Sequence, residues 1–217
     1  MRIDILTLFP EMVDSALSAS IIGRGREAGL LDIRCHHIRD YSPDKRRRTD
    51  DYPYGGGQGM IMQCEPLARC MDDVTGGEHV HTILLSPAGT VFDQNKAREL
   101  LARERFILVC GHYEGVDQRF IDAYVDEELS LGDFVLTGGE LAAMAVTDAV
   151  CRMVPGVLAD PVCVPAPAQR LQKPQNPLHS RISAQTPHPR CCWCCRRQAW
   201  QQQAAALRLL PVPGIPR

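Results

Sequence analysis

Several short runs in this chain are apolar on both faces of an extended strand, and that restricts the fold more than any other feature. In residues 3–9, Ile3, Ile5 and Thr7 fall on one side and Asp4, Leu6 and Leu8 on the other, so Asp4 alone interrupts two otherwise greasy faces. A strand without a polar face must be covered on both sides, which is the situation of a parallel sheet between helices. Residues 30–38, 80–85 and 106–110 also read as strands. Helical spacing separates them: Met12, Ala16, Leu17 and Ala19 after Pro10, then residues 65–71, then residues 94–103 with Ala97, Leu100 and Leu101 as an inner face. This alternation predicts an α/β fold with a mostly parallel sheet.

The pattern does not continue to the end of the chain. Of the 217 residues, 1–159 carry 16 Lys+Arg against 25 Asp+Glu, a balance of −9, whereas 160–217 carry 8 against 1, a balance of +7. Ten of the 16 prolines and both tryptophans lie beyond Asp160, with one of the 17 glycines. The overall charge of −2 is therefore the sum of two unlike segments, and a boundary is expected at 159/160. Five cysteines scattered without paired spacing, and an N-terminus lacking a signal-peptide pattern, place the protein in a reducing cytoplasm. No apolar run reaches membrane-spanning length.

Three strand-like segments end in glycine-bearing turns: Leu84-Leu85-Ser86-Pro87-Ala88-Gly89, Val109-Cys110-Gly111-His112-Tyr113-Glu114-Gly115, and Leu129 through Gly132-Asp133-Phe134-Val135-Leu136-Thr137-Gly138-Gly139-Glu140. Ligands of open α/β sheets bind beyond the carboxyl ends of strands, where glycines let backbone groups touch a small molecule. One small-molecule site is the expectation. No G-x-G-x-x-G opens a helix after the first strand and no G-x-x-x-x-G-K-[ST] occurs, so neither a dinucleotide fingerprint nor an ordinary P-loop is supported. His36, His37, His79, His81 and His112 lack metal-ligand spacing, and His79 and His81 read as structural groups. The polar stretch 39–58 is long for a connection in a compact domain, and its Lys45, Arg46, Arg47 and Arg48 followed by Gly55, Gly56 and Gly57 suit contact with a polyanion.

These motifs, with Met1-Arg2-Ile3-Asp4-Ile5-Leu6-Thr7-Leu8-Phe9-Pro10, Gly55-Gly56-Gly57-Gln58-Gly59-Met60 and residues 148–158, resemble the bacterial tRNA (guanine-N1)-methyltransferases of the SPOUT class, in order from Met1 to about Leu158. The resemblance implies a deep trefoil knot, an exception to the rule that chains avoid knots. It implies that the three turns bind S-adenosylmethionine through Leu85, Ser86, Pro87 and Gly89, then Gly111, Tyr113, Glu114 and Gly115, then Leu131, Gly132, Asp133, Phe134, Val135, Leu136, Gly138 and Gly139. It further implies methylation of guanosine N1 at tRNA position 37, a homodimer with each site assembled across the interface, Asp50 and Gly59 on the substrate side, and Glu114 as the candidate contact for Mg2+. Guanine N1 carries a proton, so transfer needs a base and a cation near O6. Arg152, at the end of the helix after the third turn, matches the family's cation. The family's general-base aspartate lies in a linker before a helical tRNA-binding domain, and it has no counterpart here, since Asp160 stands too near the helix and in the wrong motif.

Residues 164–217 combine proline, arginine, glutamine and cysteine with no glutamate or phenylalanine. A zinc cluster at Cys191, Cys192, Cys194 and Cys195 has the wrong spacing. The preferred reading is out-of-frame translation from near Cys163, with a basic RNA-binding arm as another. Two functions follow: an active methyltransferase, or a dimeric S-adenosylmethionine-binding module that no longer catalyses.

Overall fold

The computed structural model describes residues 1–53 and 59–158. By its internal contacts the chain divides into units Met1–Val164 and Pro165–Arg217, and every described residue belongs to the first. The readings made for Tyr54 to Gln58, Asp160 and the later cysteines fall outside the described residues.

Five strands form one sheet: β1 (Arg2–Thr7), β2 (Asp32–His37), β5 (Thr82–Val91), β6 (Arg105–Cys110) and β7 (Glu127–Ser130). Two short strands, β3 (Asp50–Asp51) and β4 (Ile61–Met62), pair antiparallel outside it. The order is β2-β1-β6-β5-β7 and every pairing is parallel, as the doubly apolar strands require.

Strand alternation creates two cores. Ile3, Ile5, Ile83, Leu85, Phe106, Leu108 and Cys110 face one way. They pack against α1 (Pro10–Leu17), α2 (Ser20–Glu27), α4 (Gln94–Leu101) and α6 (Glu140–Cys151) through Val13, Leu17, Ile22, Ala97, Leu100, Ala143, Val146 and Val150. Leu6, Leu84, Ile107 and Val109 face the other way, against Leu67, Cys70, Met71 and Val74 of α3 (Cys64–Thr75) and Phe120 of α5 (Gln118–Tyr124). Local chemistry marks several helix starts: Asp93 accepts from the backbone N–H of Asn95 and Lys96, and Asp117 from that of Arg119.

Asp4, the polar interruption of β1, is fully buried and accepts hydrogen bonds from Arg2, His36 and Arg105. Burial alone would raise its carboxyl, but the His36 and Arg2 hydrogen bonds outweigh that and hold it below the ordinary value. His79 and His81 are likewise engaged structurally, with Asp126 at 3.0 Å and Glu127 at 2.8 Å.

One strand departs from expectation. The first glycine-bearing segment does not end β5 in a turn; the strand runs on to Val91. Leu85 and Thr90 both pair with Leu129 of β7, so Ser86, Pro87, Ala88 and Gly89 form a wide bulge between two stretches of the same ladder. The stretch expected to be a long loop also has structure, with a 3-10 turn at Ile38–Tyr41 and the strand β3.

Candidate methyl-donor site

The β5 bulge and the segments after β6 and β7 meet at the carboxyl end of the sheet, around a cavity of about 510 Å³. That volume lies within the usual range for a small-molecule site, roughly 300–1,000 Å³. Leu85, Ser86 and Pro87 line it from the bulge, and Gly111, Tyr113, Glu114 and Gly115 from the segment after β6. Leu131, Phe134, Val135, Leu136, Gly138 and Gly139 line it from the segment before α6. Three stretches spread over more than fifty residues of chain thus form one wall, as their shared chemistry suggested.

The walls touch backbone to backbone. The Gly139 N–H donates to the Gly111 carbonyl at 2.9 Å. A Cβ on Gly139 would lie 2.7 Å from Cys110 Cα and 3.0 Å from the Gly111 nitrogen, so no side chain fits there without parting the two segments. Tyr113 takes a left-handed conformation, φ 59°, within the second segment. Burial pushes the Cys110 thiol well above its usual value, and the Glu140 carboxylate adds to the shift. Cys110 is thereby an inert core group behind the wall and not a nucleophile.

Gly89, Gly132 and Asp133 do not line the cavity. Gly89 packs against the Glu128 and Leu129 backbone, where it seats the bulge on β7; Gly132 accepts from the Ser130 hydroxyl; and Asp133 is exposed. Asp50 sits in β3 opposite Met62. Gly59 packs beneath the Glu114 side chain, and the Glu114 N–H donates to the Met60 carbonyl at 2.9 Å. The end of the 39–62 stretch is therefore pinned beside the second segment, where Met62 bridges to Val116.

Arg152 lies elsewhere. Gly139 and Ala142 stand at the cavity, while Arg152 caps the opposite end of the twelve-residue α6, about 18 Å along its axis. Sequence reasoning also missed His112 as a wall residue and the buried Glu140 that meets its ring at 2.7 Å. A glutamate opening an otherwise apolar helix was the one available signal. Among the described residues no group of three or more His, Cys, Asp or Glu could hold a metal ion, and no helix is long and apolar enough to cross a membrane.

Fold and cavity define a parallel α/β domain with a cavity of small-molecule size at its strand ends, walled by glycine-bearing segments. The model of the family tRNA (Guanine-1)-methyltransferase TrmD matches residues 1–181, and the chain belongs to that family. The tRNA (guanine-N(1)-)-methyltransferase of Geobacter sulfurreducens is 55% identical over 162 residues, 74% of this chain and 66% of the relative. That of Porphyromonas gingivalis is 51% identical over 161 residues, 74% and 72%. That of Magnetococcus marinus is 54% identical over 160 residues, 74% and 63%. The chain thus spans about two thirds of the length of these relatives. The crystal structure of tRNA (m1G37) methyltransferase from Aquifex aeolicus superposes with a TM-score of 0.71 at 30% identity, over 98% of this chain and 95% of that one.

Proposed function

We propose that this chain binds S-adenosylmethionine in the cavity and transfers its methyl group to N1 of the guanosine at tRNA position 37. The observation that carries the reading is the convergence of three glycine-bearing segments on one cavity in a chain of this family. The residues suit the ligand: the wall is largely glycine and apolar side chains, as a purine and ribose held by main-chain groups would need. When bound, S-adenosylmethionine supplies a methyl carbon already activated by its sulfonium.

The N1–methyl bond forms as the sulfonium S–C bond breaks and the N1 proton passes to solvent water, the family's base aspartate having no counterpart; what remains for the protein is to hold the acceptor and manage the charge on O6. Leu85, Ser86, Pro87, Gly111, Tyr113, Glu114, Gly115, Leu131, Phe134, Val135, Leu136, Gly138 and Gly139 shape the donor site, with Gly89 and Gly132 setting the backbone of the same segments and Asp133 exposed beside Gly132. Asp50 and Gly59 lie on the stretch that ends beside Glu114, which suits a substrate-side role. Arg152 stabilises negative charge developing on guanine O6. It stands ten residues beyond Ala142 of the cavity wall, about 15 Å along α6, and serves the cavity of a partner in a homodimer. Phe9, Met12 and Leu141, all exposed near the start of α1 and α6, provide an apolar surface for that contact. Glu114 is the carboxylate through which a magnesium requirement would act, and a magnesium titration of the transfer rate tests it.

We further infer that the three segments interlock as a trefoil knot, that 1–159 is the catalytic domain of a cytoplasmic enzyme, and that the chain from about Cys163 is read out of frame. Translation of the other two frames should then reveal a G-L-L-x-x-P-x-Y-[ST]-R-P run. For the central reading, calorimetry with S-adenosylmethionine should show one site per chain, and sedimentation a dimer. No heat at millimolar donor would refute it.

A further inference from the structure

We propose that Thr7, Glu140 and His112 form a positioning relay that holds the second glycine-bearing segment in the shape the cavity needs for its methyl donor. The proposal rests on the donor-site reading above. The three residues come from the end of β1, the first turn of α6 and the segment after β6, and nothing in their sequence spacing joins them. Thr7 is fully buried and the Glu140 side chain is 4% exposed.

The direction of the hydrogen bonds follows from the donors present. The Phe9 N–H donates to Thr7 Oγ1 at 2.9 Å, so the hydroxyl sends its own proton to Glu140 Oε1 at 2.6 Å. Glu140 Oε2 meets His112 Nε2 at 2.7 Å. With both oxygens of the carboxylate accepting, Nε2 carries the hydrogen of the imidazole. The carboxylate also sits at the N-terminus of α6, where aligned peptide dipoles favour negative charge. The His112 ring is held on its other sides by Phe9 and Tyr113, with centroids 5.3 and 6.2 Å away.

The space for this contact exists because residue 138 is glycine. A Cβ there would lie 2.3 Å from His112 Cε1 and Nε2 and 2.6 Å from Glu140 Oε2. Gly138 and Gly139 therefore have different tasks: one admits the histidine–carboxylate pair, the other admits the Cys110 backbone. Both fix the segment after β6 against the segment before α6, and both segments wall the cavity. The buried carboxylate thus does more than satisfy itself, since it ties β1 to the two segments that wall the donor site. His112 and Glu140 act on the donor through the shape of that wall.

The test uses the full chain with Glu140→Gln, His112→Ala, His112→Gln and Thr7→Val. Glu140→Gln keeps the shape but removes one of two acceptors: its amide N–H₂ faces either the Thr7 hydroxyl, whose proton then loses its acceptor, or His112, which must then take the other tautomer. The relay predicts that Glu140→Gln and His112→Ala weaken S-adenosylmethionine binding by about tenfold or more, the effect of one unsatisfied buried group. Amide exchange over residues 111–116 should accelerate by a similar factor, while exchange in β1 and β6 stays as in the unaltered chain. His112→Gln, which restores an N–H toward Glu140, should recover most of both, and Thr7→Val should fall between. Donor affinity within about twofold in Glu140→Gln and His112→Ala, or exchange that rises uniformly across the sheet, would overturn the relay. A chain that binds no donor even unaltered refutes the donor-site reading, and the exchange pattern of the 111–116 segment still decides the relay.

Discussion

Replacing Gly139 with alanine adds a single methyl group at the tightest backbone contact of the cavity. The new Cβ would approach Cys110 Cα to 2.7 Å, the Gly111 nitrogen to 3.0 Å and Cys110 Cβ to 3.1 Å. Two of these three atoms are main chain in or beside the central strand, which cannot retreat as a side chain can. The segments must part by close to 1 Å, since carbon atoms rest at about 3.5–4.0 Å. Overpacking of this kind costs about 1–3 kcal/mol, and stretching the Gly139 to Gly111 hydrogen bond adds about 0.5–1.5 kcal/mol. A total near 2–4 kcal/mol corresponds to a fall in melting temperature of roughly 5–15 °C for a domain of this size. Donor affinity should drop by about thirtyfold or more as the cavity walls separate. Gly111→Ala is the internal control, because its Cβ would meet nothing nearer than 3.4 Å, and its melting temperature should stay within about 3 °C of the parent. Calorimetry and thermal melting of both variants decide the matter. Equal melting temperatures for Gly139→Ala and Gly111→Ala, with parental donor affinity in the former, would refute the argument from backbone contact.

Arg152→Ala should leave S-adenosylmethionine affinity unchanged and reduce single-turnover methyl transfer by roughly a hundredfold, the loss seen when one charge-stabilising donor is removed. Mixing it with Gly139→Ala should restore transfer, because a mixed dimer contains one intact cavity facing one intact arginine; no recovery would place Arg152 outside the partner's site. Asp4→Asn should destabilise the fold by about 3 kcal/mol, by leaving the Arg2, His36 and Arg105 cluster without its buried anion. Because the folded-state Asp4 carboxyl lies below its ordinary value of 3.8, its contribution is fully present above that value and is lost as pH falls through the folded one. Urea midpoints measured from pH 6 down to pH 2 should therefore fall less steeply for Asp4→Asn than for the parent. Lys45→Ala combined with Arg46→Ala, both exposed on the stretch that leads to the cavity, should lower the slope of log affinity for tRNA against log salt by roughly 2; an unchanged slope in filter binding would remove that stretch from the RNA interface.

Much of this fold could be read before any coordinates. Strands apolar on both faces, as in β1 and β6, leave no choice but a covered parallel sheet, and α6 follows from its apolar stripe. Helix α2 escaped because Gly23 and Gly25 lower helix propensity. Both are there for close packing, Gly23 against the Ser18 carbonyl and Gly25 against Leu31. The bulge in β5 escaped because Ser86, Pro87 and Gly89 read as a turn, and only the β7 neighbour that re-pairs at Thr90 shows that the strand resumes. The cavity walls were legible as glycine-bearing strand ends. The Thr7–Glu140–His112 relay was not, since burial of Glu140 depends on a threonine 133 residues away.

Methyl transfer to guanine N1 leaves its record in the nucleoside product. The full chain is incubated with methyl-labelled S-adenosylmethionine and unmodified tRNA carrying guanosines on both sides of the anticodon boundary, and the digest is resolved by mass spectrometry. Label should appear in N1-methylguanosine at position 37 and fall sharply with Gly139→Ala and with Arg152→Ala. Donor binding without any N1-methylguanosine, or label in a different nucleoside, would refute transfer to guanine N1.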